Sequence, residues 1–437
     1  MYQFLAIPKN RKLALIICTG LILLSLLLNL SGISAEWTQR GIWIISLCLL
    51  FCCLCSMTKK DSFWILFSAF LTRIVLAVLN IQSGNIISTL LFRVGDDIVF
   101  ANAAREFYFG NFSFNVNSRQ FPVMISLLYR IFGPDELIMV YVLVLLSAVG
   151  CLAFRYMLDE LDLPVMPKYI SLAVVCFAPF NIVFSILLLR EPIYFCFLSL
   201  SFLSFLKYCR NEKVKFLLLA MVICLPAVFM HWGYAGMLFV YAVYFFAEYK
   251  GIPERKTQLR IIKLVIMIIL MSMIGIVMMN SGRLRYFREA GNFSDGLILT
   301  FQKYTGLGGE SGYLQDMQVT SIWQVLVYTP IRILYFYLSP LPMDWRGWKD
   351  VCSFLFDAVW PLMACLSFFS VGWNRGKQLF PVRIAFWILA LTGALYCWAT
   401  VTAGAAIRHR NCLVPLCLFM VLFAMSLHSR KKEESDD

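Results

Sequence analysis

The chain has 437 residues, 61% of them hydrophobic and 14% charged, with a net charge of +13 and a mean hydropathy of +0.77. A protein of that balance cannot hide its apolar side chains in a soluble core, so an ordinary globular domain is excluded. Apolar stretches of roughly 17–25 residues recur and match the hydrocarbon thickness of a bilayer. Within lipid the backbone must satisfy its own hydrogen bonds, and long unbroken runs select helices over a closed barrel. The expected fold is all-α: a polytopic integral membrane protein.

In chain order, the first apolar run, 13–31, follows Lys9, Arg11 and Lys12. It is longer than a signal-peptide core and has no small-residue cleavage site, so it reads as a retained span. Further basic clusters fall at Lys59/Lys60, Lys207/Arg210/Lys213/Lys215, Lys250/Arg255/Lys256/Arg260, Arg375/Lys377/Arg383 and Arg430/Lys431/Lys432. Placing every cluster in the cytoplasm satisfies the positive-inside rule. It yields about twelve spans, near 12–32, 41–57, 62–82, 136–157, 168–183, 187–207, 214–230, 233–249, 261–280, 351–371, 383–403 and 410–428, with both termini cytoplasmic.

Two apolar segments do not fit as full crossings. Residues 121–133 are short and carry Arg130; residues 323–341 carry Arg332 and lie among Pro330, Pro340 and Pro342. Both read as amphipathic helices on the outer membrane surface, with a kinked full span as the alternative. The chain then divides into N-terminal spans (1–82), a first outer loop (83–135), a transmembrane core (136–280), a large outer loop (281–350) and C-terminal spans with a tail (351–437). The 15 cysteines sit mostly in apolar runs and read as small buried hydrophobes.

The polar residues that break this pattern gather on the expected outer side. "RVGDDIVFANAAREFYFGNFSFN", 93–115, sets Asp96 and Asp97 at the start of a helix. Carboxylates are favoured there by the helix N-terminus alone; they also suit a general base, or a divalent cation held by Asp96 and Asp97, acting on an acceptor hydroxyl. Arg190 and Glu191 interrupt an apolar run, with Pro192 suited to a first helical turn. Charges at such depth snorkel to water or serve a site. Arg408, His409 and Arg410 border an exposed turn expected at Ala405–Arg410, where they suit a phosphate or an anionic headgroup. His231 reads as a structural or acceptor-binding polar cap at an outer turn. Arg283 and Arg285 form another outer basic group, and Trp345 reads as an interfacial indole or a sugar-stacking ring.

"DDIVFANAAREF" resembles the first outer loop of GT-C membrane glycosyltransferases, the enzymes that draw sugars from polyprenyl-phosphate carriers, such as protein O-mannosyltransferases and aminoarabinose transferases. The likeness lies in Asp96-Asp97, an aromatic at Phe100 (where tyrosine is usual), Ala104 and Arg105-Glu106. It continues in "RQFPVMISLLYRIFG", which includes Arg119, in "APFNIVFSILLLREPIYF" and in "AIRHRNCLVP", and covers roughly 85–420. The segments "ILYFYLSPLPMDW" and "GAAIRHRNCLVP" are also similar to bacterial surface-polysaccharide polymerases.

The resemblance implies an inverting glycosyltransferase of the bacterial inner membrane with its site on the outer face. Asp96 would be the base and Asp97 its companion. Arg408, His409, Arg410 and Arg190 would hold the donor phosphate, and Glu191, His231, Arg119, Trp345, Arg283 and Arg285 would contact substrate. The implied partners are a polyprenyl-(di)phosphate-linked sugar, a glycan or lipid-linked acceptor and the bilayer, with no nucleic acid. No cofactor is required unless a divalent cation sits on the acidic pair. Repeat-unit polymerisation makes the same demands. A lipid-linked-sugar flippase is the alternative of another class, disfavoured by the absence of internal repeats.

Overall fold

A computed structural model describes residues 36–55, 60–91, 95–114, 118–248, 312–371 and 379–436, with a few isolated positions besides. The described residues are helical, with one isolated antiparallel bridge between Gly312 and Thr402. The expected spans 12–32 and 261–280 lie outside them. The chain forms two compact units, Met1–Leu200 and Ser201–Asp437.

The first unit holds α1 (Glu36–Cys55), α2 (Lys60–Gln82), α3 (Ile86–Leu91), α4 (Asp96–Tyr108), α5 (Gln120–Phe132), α6 (Glu136–Asp159), α7 (Val165–Phe177) and α8 (Pro179–Ser185). The α6 helix is its axis, packed against α1, α2 and α7, and 78% of its apolar window is buried. For α2 that share is 39%, and the distribution of its side chains explains why. Trp64, Leu71, Val75 and Leu79 form an exposed apolar stripe, while Arg73 is buried with Phe70 and Ala77. An apolar stripe turned outward over a buried arginine is wrong for water and right for hydrocarbon.

The boundary between units falls within α9 (Glu191–Asn211). The second unit continues with α10 (Val214–Met230), α11 (Ala235–Glu248), α12 (Ile322–Leu338), α13 (Trp348–Ser353), a π-helical turn at Phe354–Ala358, α14 (Val359–Val371), α15 (Phe380–Tyr396), α16 (Ala403–Asn411) and α17 (Val414–Asp436). The pairs α14/α17 and α11/α15 are the most extensively packed. Gly236 lets the second pair approach closely: a Cβ there would lie 2.8 Å from the Thr392 backbone nitrogen.

Among the described residues four helices are long and apolar enough to cross a membrane: Asp61–Gln82, Glu136–Asp159, Glu191–Asn211 and Trp348–Val371; two bent pairs bring the number to six. The remaining apolar helices of the described residues run 10–17 residues. At ~1.5 Å per residue, 17 residues reach about 25 Å, short of a hydrocarbon core of about 30 Å. The 13-residue α5 and the 17-residue α12 lack the length of a full crossing, and so do the helices at three expected spans, near 41–57, 214–230 and 233–249, which run Gln39–Cys55, Val214–Met230 and Trp232–Phe246.

Three expected spans change shape. The span near 168–183 is broken by 43° at Ala178, between α7 and α8. Pro179 opens α8 and forces the residue before it into an extended conformation. It also lacks the N–H that the Val175 carbonyl would accept in a continuous helix. Asn181 supplies the substitute: its Nδ2 donates to the Val175 oxygen at 3.1 Å, and Ser147 on α6 donates to its Oδ1 at 3.1 Å. The span near 383–403 ends as a helix at Tyr396, and that near 410–428 is two helices, Ala403–Asn411 and Val414–Ser429, bent by 62°.

Asn181→Leu strands the Val175 carbonyl and the Ser147 hydroxyl in an apolar setting. It is expected to cost about 1–3 kcal/mol, measured as a lower unfolding temperature of the detergent-purified protein.

Candidate functional site

In the first unit the acidic pair opens α4, as expected. Gly95 precedes it without a side-chain cap, so Asp96 and Asp97 are the acidic groups of the first turn, where carboxylates offset the positive helix end. Successive helical residues point about 100° apart: Asp96 is exposed and Asp97 is 8% exposed, on the buried face with Phe100, Ala101, Ala104 and Phe107. One acid therefore faces out and the other in. Among the described residues no three His, Cys, Asp or Glu side chains group as metal ligands.

The buried face of α4 packs on α5, with Phe100 edge-on to Phe121 at 5.3 Å. The loop between them is clipped by Arg119. Its Nη2 donates to the Phe112 carbonyl at 2.6 Å, and its guanidinium lies 5.2 Å from the Phe107 ring centre. Arg119, expected to contact substrate, is exposed and gives one N–H group to the loop.

Arg190 comes to the same helix from a distant part of the chain. It is 5% exposed, and its guanidinium lies 5.3 Å from the Phe100 centroid and 6.0 Å from that of Tyr194. Its carbonyl accepts from the N–H groups of Ile193 and Tyr194 at 3.0 and 3.3 Å, which places it at the head of α9. Glu191, 2% exposed, is the first residue of that helix, and Pro192 sits in its first turn. The fold thus sets Arg190, next to the buried Glu191, on the face of Phe100, a residue of the helix whose first turn carries Asp97. Phe100 lacks the hydroxyl of a tyrosine but offers its face to the guanidinium, an attraction worth ~0.5–2 kcal/mol. That role was not visible in the sequence.

In the second unit the exposed turn expected at Ala405–Arg410 is instead the buried helix α16. Arg408 is 8% exposed, His409 9% and Arg410 0%. Thr402 caps it, accepting from the Ala405 N–H at 3.3 Å. The physical reason is a counter-charge missed in the sequence. Arg410 Nε pairs with Asp357 Oδ2, and its Nη1 donates to the Phe336 carbonyl at 3.0 Å. Asn411 Nδ2 donates to the other Asp357 oxygen at 3.2 Å. Asp357 lies in the π-helical turn just ahead of Pro361, whose missing N–H interrupts the α ladder there. A lone aspartate in "CSFLFDAVWPL" is the same kind of signal as Arg190 in its apolar run, and would have found it. Arg410 retains one group, Nη2, without a hydrogen-bond partner among the described residues.

His231 acts as a structural cap. Its Nδ1 accepts from the Gly233 N–H at 3.2 Å, and its ring stacks on Tyr396 at 4.8 Å and tilts on His409 at 4.6 Å. Tyr234 donates to the His409 carbonyl at 3.0 Å. Trp345 donates through Nε1 to the Pro340 carbonyl at 3.1 Å and meets Phe354 edge-on at 5.8 Å; its ring stays partly exposed. Arg283 and Arg285 lie outside the described residues.

No family model, curated protein or solved structure matches the chain.

Removing one partner of a buried pair leaves a bare charge, at a cost of about 3–5 kcal/mol. Asp357→Ala is therefore expected to unfold far more readily than the wild type, while Asp357→Leu combined with Arg410→Met regains most of the loss, as read by denaturation in detergent.

Proposed function

We propose that the protein is a membrane-embedded glycosyltransferase that moves a sugar from a polyprenyl-(di)phosphate carrier to an acceptor hydroxyl on the extracytoplasmic face, in the assembly of a cell-surface glycan. The observation that carries the reading is the meeting of Arg190 with the acidic helix α4 on the face of Phe100. Two polar segments some ninety residues apart in sequence come together, one suited to a base and one to an anion.

In this mechanism Asp96, the exposed acid, takes the acceptor's hydroxyl proton as the oxygen attacks the anomeric carbon. The bond from that carbon to the phosphate oxygen breaks on the opposite side, inverting the centre and leaving the electron pair on phosphate. Arg190 meets that charge with its planar fork, and the N-terminal end of α9 adds its partial positive charge. Asp97 and Glu191 hold acceptor and guanidinium in place. Arg410 leaves the proposed donor set, since Asp357 already matches its charge; Arg408 and His409 keep theirs as anion contacts of the second unit. Polymerisation of whole repeat units would use the same step.

A second reading, a transporter for lipid-linked sugars, is favoured by the two broken helix pairs, a feature of transport folds.

Loss of a general base costs about 10²–10⁴-fold in rate. Asp96→Asn is expected to lower glycan output to that degree at normal membrane abundance, with lipid-linked donor accumulating; Asp97→Asn should do so less severely. Wild-type output from both variants would sink the transferase reading and leave the transporter.

A further inference from the structure

A second candidate site lies in the first unit. A cleft of about 390 Å³ opens between the start of α1, the end of α2 and the turn joining α5 to α6. That volume falls within the ~300–1,000 Å³ range of small-molecule sites. Its polar lining is Gln39, Arg40, Arg105, Asp135 and Glu136, and Phe132 supplies an aromatic wall.

The charges in this lining cancel in pairs. Arg40 Nε lies 2.7 Å from Asp135 Oδ2, and Arg105 Nη2 lies 2.7 Å from Glu136 Oε1. Asp135 is further engaged as the cap of α6, accepting from the Leu137 N–H at 2.9 Å. Two cations and two anions so matched leave no net charge to attract an ionic ligand. What remains is hydrogen-bonding capacity. Gln39 is 7% exposed, lines the cleft, and its Nε2 has no hydrogen-bond partner among the described residues. A buried amide nitrogen without an acceptor is costly, and it points to a ligand that supplies one. One helical turn along, Trp43 stands edge-on to Phe132 at 4.6 Å. Near the end of α5, the buried Tyr129 hydroxyl likewise has no partner among the described residues. Burial pushes that phenol well above its usual range, with the Glu136 and Asp135 carboxylates acting in the same direction and Arg105 opposing them.

We propose that this cleft binds a neutral saccharide. Hydroxyl groups both donate and accept, so one sugar ring can give an acceptor to Gln39 Nε2 and share the outer lone pairs of the carboxylates and the N–H groups of the two arginines. The apolar face of the ring suits Phe132. An anionic sugar or a phosphate would meet Asp135 and Glu136 without a surplus cation, and an acyl chain would strand five polar side chains. The inference rests on the transferase reading only in naming the bound sugar as the acceptor.

The test is saturation-transfer NMR on the full-length protein in nanodiscs, with glucose, galactose, mannose, N-acetylglucosamine, glucuronate and glucose 6-phosphate as probes. At least one neutral sugar is expected to receive saturation, and glucuronate and the sugar phosphate are not. Gln39→Leu, close in shape, should weaken that response about tenfold. Glu136→Gln removes one negative charge beside Arg105 and should bring in a glucuronate response, a change of preference that a merely structural residue would not produce. No neutral sugar responding, glucose 6-phosphate preferred by the wild type, or equal responses from wild type and both variants would overturn the proposal. Glycan output, scored separately, tells the two readings apart: sugar binding without transfer sinks the transferase alone, and transfer without binding in this cleft sinks the cleft alone.

Discussion

A full positive charge in a place without water is the constraint around which this protein is arranged. Arg73, Arg332 and Arg410 have no exposed surface, and each is matched differently. Arg410 alone among them has a carboxylate at bonding distance. Arg332 gives Nη2 to the carbonyls of Leu314 and Met317 at 3.4 and 3.3 Å and lies 4.4 Å from the Trp398 ring centre. The ring's electron-rich face serves where no anion stands. Arg73 turns Nη1 back to the Ala69 carbonyl of its own helix at 3.0 Å. Because an unmatched buried charge costs several kcal/mol, the solutions at Arg332 and Arg410 tie the arginine's helix to whatever offers the oxygen or ring, while Arg73 is met within its own helix. For Arg410 the ties reach the π-helical turn and the end of α12, so the register of three segments is set at one guanidinium.

Prolines supply the complementary half of that design. A spanning helix hides its polar backbone, and polar chemistry needs points where this ceases. Pro179 frees a carbonyl that Asn181 then satisfies, and Pro361 follows the widened turn that carries Asp357. Pro192 stands in the first turn of α9, beside Arg190 and Glu191. Breaks in the helical ladder and buried polar side chains therefore coincide, since each makes the other tolerable in an apolar surrounding.

Local features of the fold were legible in the sequence; long-range ones were not. The start of α4 at Asp96, the start of α9 at Glu191 and the short amphipathic α5 follow from helix-end chemistry and hydrophobic spacing within a few residues. The helix at Ala403–Asn411 was misread as an exposed turn because hydropathy sees Arg408, His409 and Arg410 as three costs and cannot see Asp357, 53 residues from its partner. The Arg119 clip on the loop was hidden for the same reason, its acceptor being a backbone oxygen that no side-chain pattern reports. Phe100 was noted for the hydroxyl it lacks, while its use as a platform for Arg190 depends on a contact across ninety residues.

The π-helical turn at Phe354–Ala358 holds one residue more than an α-helix would place in the same rise. Excising a single residue there would let the ladder close in the α register, keeping the flanking helices in place but re-aiming the side chains of the turn itself. Asp357 would then face away from Arg410, even though no side chain had been substituted. Sequence length across this stretch is therefore as strictly constrained as chemical identity, and homologues sharing the ion pair should align through it without gaps.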